Sequence, residues 1–463
     1  MKFVRKKRNS LLVMFTLMVT IIAGCSGGGT PSDTATQPPA NENKEAAVEP
    51  AQEKQEPKVD LKGRAVRISN WWDASPKGDS EADERARERI KKVEEKYNVK
   101  ISYLNTDYGA TSEKISSSVM ANEPFAEIVR VPDGYIWGLM QGGFLTPLDD
   151  YLKDTQIKPD VIDSMRFGSD KVYGLTGWYT PNDSGMFYNK RIFKEAGLKD
   201  PQQLMEEDNW NWDTMLDAAK KLTVDKNGDG KMDQYGLSGA YYVLHETLIG
   251  SNGGKMYDEA TQKAAFDSPE SLEALNFLYS LYNDHKVVKA NAGNDWEDPS
   301  KFFSEGNIAM YPGGLWEVEG RILDKLKDDW GYVYMPKGPK AKTYLDTVNS
   351  TESFVIPKGV KDADIIVKIW EELQDFDNWQ DNHRLWLENI LPDEASIANA
   401  MNDNGQVERV YGARAGGLGV KEALGSVTEK FVKGEVTPST GVAQVIGPAQ
   451  AGIQKVLKGE KSK

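Results

Sequence analysis

An α/β body with a mostly parallel sheet is the fold class that this sequence predicts, and three observations predict it. Short β-branched or alternating runs recur between charged segments whose apolar residues fall at helical spacing. Strand and helix patterns alternate in order along the chain, as they do when helices pack back on a shared sheet. The part with ordinary globular composition begins near Val59 and runs for about 400 residues. On size alone that is two domains.

Each element follows from its residues. Val66 and Ile68 alternate with polar neighbours over Arg64–Asn70, which reads as a first strand running into Trp71, Trp72 and Asp73. Glu81–Tyr97 is densely charged with Ile90 and Val93 on one face, the pattern of a surface helix. Residues 99–104 are the next strand, 109–121 a helix, 127–131 a third strand and 135–143 another helix.

The N-terminal 24 residues have a different character. Lys2, Arg5, Lys6, Lys7 and Arg8 precede an apolar run over residues 11–23. Thirteen residues are too few for a bilayer-spanning helix and match the core of an export signal. Ile22-Ala23-Gly24-Cys25 closes it and resembles the bacterial lipobox, which implies a lipid on Cys25 and tethering to the outer face of the cell membrane. Cys25 is the only cysteine, so an internal disulfide is excluded. Residues 25–57 are rich in Ser, Gly, Thr, Pro, Gln, Asn and Glu, the composition of a polar linker. Loss of the five basic residues of the signal takes the net charge from −14 to −19. Such an acidic body argues against nucleic acid as a partner. The chain holds 12 Trp and 19 Tyr at a mean hydropathy of −0.57, so some aromatic faces are free to serve a ligand.

Several segments carry a family resemblance, in order. Gly143-Phe-Leu-Thr-Pro-Leu-Asp-Asp150 is similar to the "GLLTPLDD" segment of family 1 extracellular solute-binding proteins, the maltose-binding-protein-like binding components of sugar ABC importers. Lys171-Val-Tyr-Gly-Leu175 and Met186-Phe-Tyr-Asn-Lys-Arg-Ile-Phe-Lys-Glu-Ala-Gly197 resemble "YGLP…LYYNKDLFKEAGL". Asn211-Trp-Asp-Thr-Met215, Phe302-Phe-Ser-Glu-Gly-Asn-Ile-Ala-Met-Tyr311 and Ser353-Phe-Val-Ile-Pro-Lys358 resemble three later family segments. The resemblance implies a two-lobe periplasmic-binding-protein-like fold (type II) with a ligand cleft between lobes. It places lobe one at 58–180 plus 352–400 and lobe two at 181–351 plus 401–463. Crossings fall near 178–184 and 347–352, where Pro181 and Gly185 suit a hinge.

Residues 225–234 are the sharpest local chemistry. Asp225, Asn227, Asp229 and Asp233 alternate, Gly230 takes the sixth position and Lys231 offers a carbonyl, which is calcium-loop spacing. The twelfth position is Gly236 where an EF-hand has a bidentate glutamate. Closure would pass through Asp233 and Gln234, and some oligosaccharide-binding members of the resembled family carry calcium in such a loop. A structural calcium is the expectation, with a metal-free Asp/Asn/Gly turn as the other reading.

A sugar site needs flat aromatic faces and hydroxyl-binding side chains on loops at strand ends. The candidates are Trp71, Trp72, Asp73, Asp133, Trp178, Tyr179, Asp183, Trp296, Trp316, Glu317 and Glu352. Of the Trp71–Trp72 pair, one is expected to pack under its loop, and Asp133 could equally cap the helix that follows it. The expected partners are an oligosaccharide, ABC permease subunits in the membrane and the lipid anchor, with the protein a monomer. Two other classes remain open: a binding protein for a non-sugar solute and a secreted glycoside hydrolase. His245, His285 and His383 are scattered and no Gly-x-Ser-x-Gly elbow is present, so no catalytic residue is assigned.

Overall fold

A computed structural model of the chain describes residues 59–457 apart from 158, 167–168, 177–183, 292–296, 349–352, 403–406 and 412–417. The signal, Cys25 and the linker lie outside the described residues, as do Trp178, Tyr179, Asp183, Trp296, Glu352 and most of both expected crossings.

The first sheet is built from β1 (Arg64–Asn70), β2 (Val99–Asn105) and β3 (Ile128–Val131), all parallel, with β1 between β2 and β3. Val66 and Ile68 of β1 are buried as the alternation requires, and Ile128, Val129 and Val131 fill the core. The intervening helix Glu81–Tyr97 lays Val93 and Tyr97 on the sheet and stops at Asn98, whose φ of 48° is the left-handed cap. Asp133–Gln141 follows β3 after Pro132 at the N-cap.

The second sheet gathers β4 (Ser184–Asn189) and β5 (Tyr235–Leu237) with later strands. After the small hairpin β6 (Tyr257–Asp258) and β7 (Lys263–Ala264) come β8 (Ile308–Gly314), β9 (Trp330–Val333) and β10 (Tyr344–Val348). β11 (Ser353–Val355) and β12 (Val407–Tyr411) complete the strands among the described residues. The order is β5-β8-β4-β9, and only β5 and β8 are parallel. This sheet departs from the mostly parallel expectation: β4 runs antiparallel to both of its neighbours, β8 and β9. Phe187 lies opposite Tyr311 on one side and Tyr332 on the other, and the three rings form one aromatic face with Phe303 and Trp330. Met186 and Tyr188 point to the opposite core.

β11 returns to the first sheet, antiparallel to β3. Phe354 and Leu175 exchange backbone hydrogen bonds of 2.8 and 2.7 Å. The two stretches that flank the crossings thus run side by side at the first sheet. Helix Ala363–Gln374 stays with this lobe: Arg89 donates to Leu373 O at 3.1 Å and pairs with Asp375 at 2.9 Å.

Short of the expected boundary at residue 400, apolar side chains already pack on the second sheet. Leu387, Ile390, Leu391 and Ile397 belong to the Phe187–Tyr311–Tyr332 core of the second sheet. Tyr332 N–H donates to Ser396 Oγ at 3.0 Å, and Asn399 Nδ2 donates to Tyr332 O at 2.8 Å. Helices Trp379–Ile390 and Glu394–Met401 bury apolar faces in that core, and Trp379–Ile390 also touches helix Glu81–Tyr97, where Arg85 Nη1 donates to Asn382 Oδ1 at 3.4 Å. Helices Val420–Val432 and Pro438–Leu457 pack on each other and on the lobe-two helices Tyr241–Ser251 and Pro269–Asn283.

Candidate functional site

The carboxyl ends of the parallel strands of lobe one converge on an aromatic cluster. Trp71 and Trp72 leave β1, Tyr108 follows β2 and Tyr135 lies on the helix after β3. Trp71 meets Trp72 edge-on at 5.3 Å between centroids and Tyr108 at the same distance, and Tyr108 meets Tyr135 at 6.0 Å. The Arg130 guanidinium lies 4.7 Å from the Trp72 centroid, 5.3 Å from Trp71 and 5.5 Å from Phe354. Trp71 is the inner member, half-buried between Trp72, Tyr108 and Arg130. Trp72 and Tyr108 remain 41% and 51% exposed. Large rings left in water at strand ends, braced edge-on by neighbours, make a rigid apolar wall.

Asp73, expected to bind ligand, folds onto its own loop. It bonds Lys77 Nζ and the Ser75 hydroxyl and accepts Ser75 N–H at 3.1 Å. Lys77, then Ser75, holds its carboxyl down at about 2. The backbone of Asp133 opens the helix after β3, and its side chain is outside the described residues.

In lobe two Trp316 follows β8 and is 50% exposed. Glu317, expected beside it as a ligand group, turns inward. Only 5% exposed, it accepts Tyr311 Oη at 2.6 Å, Gly314 N–H at 3.1 Å and Arg321 Nη1 at 3.0 Å. Burial raises its carboxyl above the usual range against the pull of those three donors. The Arg321 guanidinium lies 5.0 Å from the Trp316 ring centroid. A groove of about 520 Å³ lies elsewhere in lobe two, lined by Gln202, Asp208, Lys337, Lys342 and Tyr344. Its walls mix polar groups with Met205, Ala395 and Ala398, Lys337 is paired to Asp208, and its one ring, Tyr344, is buried.

Residues 225–234 form a self-bonded loop. Asp225 accepts Gly228 and Gly230 N–H at 2.7 and 2.8 Å, and Asp229 accepts Lys231 N–H at 2.8 Å. Asp233 accepts Lys226 N–H at 2.7 Å. The Gly230 amide, foremost, keeps the half-buried Asp225 carboxyl below its usual range. Gln234 is spent in the core: 5% exposed, it donates to Leu222 O at 2.9 Å. Gly236 has a steric reason to be glycine, since a Cβ would lie 2.3 Å from Ala219 O and 2.4 Å from Ala219 Cα. No glutamate fits at that twelfth position. Among the described residues no three His, Cys, Asp or Glu side chains converge as a metal cage. The oxygen donors suit a hard cation in kind, and their carboxylates are turned to loop amides rather than to a common centre.

The sequence reading missed Tyr108, Tyr135 and Arg130. Tyr108 stands three residues beyond β2, as Trp72 stands just beyond β1, so its position past a strand end was a readable signal. Arg130 lies within β3 and reads as an ordinary strand residue until the rings close around it.

The profile of the bacterial extracellular solute-binding protein family matches residues 77–379. The chain belongs to that family. An arabinooligosaccharide-binding protein of Halalkalibacterium halodurans is 27% identical over 209 residues, 44% of this chain and 42% of the relative. A maltotriose-binding protein of Pyrococcus abyssi is 23% identical over 217 residues, with the same shares. The chain thus matches less than half the length of these two relatives. Among solved structures, a Thermotoga lettingae ABC transporter solute-binding protein bound with alpha-D-tagatose superposes with a TM-score of 0.58. It is 21% identical, over 85% of this chain and all of that one. UgpB from Mycobacterium tuberculosis, in complex with glycerophosphocholine, reaches a TM-score of 0.63 at 17% identity, over 85% and 99%. These likenesses establish the two-lobe fold. That the same fold holds a sugar in one neighbour and glycerophosphocholine in another means the fold alone does not name a ligand. Members of the family are binding proteins, and among the described residues no helix is long and apolar enough to cross a membrane.

Proposed function

We propose that this protein is the substrate-binding component of a carbohydrate ABC importer and that it captures an oligosaccharide between its lobes. The observation that carries this reading is the set of exposed, braced rings at the strand ends: Trp72 and Tyr108 on lobe one, Trp316 on lobe two. An apolar sugar face stacks on an indole or phenol ring, and closure of two lobes around it excludes water and strengthens each hydroxyl hydrogen bond. Several separate rings suit a ligand of more than one sugar unit. The arabinooligosaccharide-binding and maltotriose-binding relatives support the same class. Binding without turnover is the role, with release to ABC permease subunits.

The reading includes a lipid on Cys25, which would hold a monomer at the outer face of the cell membrane. It also includes a structural calcium in the 225–234 loop, held by Asp225, Asn227, Asp229, Asp233 and the Lys231 carbonyl. A bound cation would supply charge neutralisation among three carboxylates; the chain's own part is to hold them on one turn.

A thermal-shift screen of the purified protein tests this against arabinotriose, maltotriose, mannobiose and glycerophosphocholine, each with and without calcium. A ligand that binds only the folded form raises Tm by mass action. A rise with an oligosaccharide supports the reading. A rise with glycerophosphocholine and with no sugar replaces it by a non-sugar solute. Release of shorter sugars on incubation would point to a hydrolase.

A further inference from the structure

Trp316 does not stand alone on its turn. The Arg321 guanidinium lies 5.0 Å from its ring centroid, and Arg321 is held in turn by Glu317 at 3.0 Å. That one carboxylate ties the middle of β8 through Tyr311, the last residue of β8 through Gly314 N–H, and the short helix Val318–Ile322 through Arg321. The packing leaves no slack. A Cβ on Gly313 would lie 2.7 Å from the Tyr311 ring and 2.8 Å from Glu317 Oε1. A buried carboxylate–guanidinium pair is a costly way to fill a core, since apolar residues of similar volume do so at least as well. What the pair adds is geometry. It sets the guanidinium beside a ring that is otherwise half in water.

We infer that Glu317 and Arg321 are positioning residues for Trp316: the buried carboxylate locks the guanidinium against the indole, and the indole is thereby held flat before ligand arrives. The inference rests on the reading of Trp316 as a ligand platform. Its physical content is preorganisation. A ring already fixed loses no rotamer freedom on binding, whereas a free one weakens binding by about two- to tenfold. Glu317 touches no ligand in this scheme and acts only through its neighbours.

The test separates positioning from platform. The protein is labelled with 5-fluorotryptophan, and the ¹⁹F resonance absent from Trp316→Phe is assigned to Trp316. In Glu317→Gln and in Arg321→Met that resonance is expected to shift and broaden while the remaining tryptophan resonances hold, which also reports that the variants fold. If it keeps its position and width in both variants, the inference is overturned, whatever binds. Calorimetry with arabinotriose, maltotriose and mannobiose gives the second arm. Arg321→Met is expected to weaken binding two- to tenfold in the native background and to have no further effect on Trp316→Ala. An equal loss in both backgrounds overturns the inference. Native affinity in Trp316→Ala with a sugar that does bind sinks the platform reading instead, and leaves the resonance result to stand by itself.

Discussion

Removing the indole of Trp316 should cost affinity by an amount that its exposure sets. An aromatic side chain of this size buries roughly 200 Å² when fully enclosed. At 50% exposure about half of that, roughly 100 Å², is open for a ligand. A sugar covers one face and part of the rim, so about 50–100 Å² leaves water on closure. At about 25 cal/mol per Å² this is worth ~1.3–2.5 kcal/mol. The dissociation constant of Trp316→Ala should therefore rise roughly tenfold to sixtyfold. Stability should change little, because half of the ring already lies in water and Trp316 belongs to neither apolar core. The assay is isothermal titration with whichever oligosaccharide raises Tm most, on native protein and variant, with urea unfolding of both as the control. A Kd within twofold of native would refute the reasoning. So would a loss of affinity matched by a loss of fold, since the ring would then be core rather than platform.

Other perturbations follow from the same geometry. Gly236→Ala drives a Cβ into the backbone of Ala219, with no flexible side chain to yield, and should lower the urea-unfolding free energy by about 3 kcal/mol. Asp225→Asn should abolish any calcium-dependent rise in Tm and also lower the calcium-free Tm slightly, because Asn keeps an oxygen for one of the two turn amides and turns an NH2 donor toward the other. His245 is buried, shares a 3.1 Å contact with Thr428 Oγ1 and has its imidazole pushed down to about 3, by burial first and the Lys421 charge second. The unfolded chain takes up this proton below about pH 6.5 and the folded chain does not, so stability falls as pH drops through that window, by at most ~1.4 kcal/mol per pH unit. Unfolding free energies at pH 7 and pH 5 should therefore diverge less in His245→Asn than in the native protein, and equal pH dependence would remove His245 as the cause.

What the sequence determined is local or periodic. The alternation of Val66 and Ile68, the apolar stripe of Glu81–Tyr97 and the β-branched run of β3 each carry their own structure, because period and burial are properties of neighbouring residues. Family membership was legible for the same reason, from an ordered set of short segments; the two glycines before Trp316 read as a turn, and the structure puts both at the end of β8. The tertiary structure decided what depends on partners distant in sequence. Whether Glu317 faces a ligand or the core turns on Tyr311, Gly314 and Arg321. Gly185 reads as a hinge glycine. In β4 it is instead a contact glycine, whose Cβ would lie 2.5 Å from Val333 O across the sheet. The twelfth position of the 225–234 loop is closed to glutamate by a helix more than a dozen residues upstream, and the packing of helices Trp379–Ile390 and Glu394–Met401 is set by where Leu387 and Ile397 find an apolar face. A chain specifies its periods residue by residue. Which face is buried, and which polar group is left for a ligand, exists only once two elements have met.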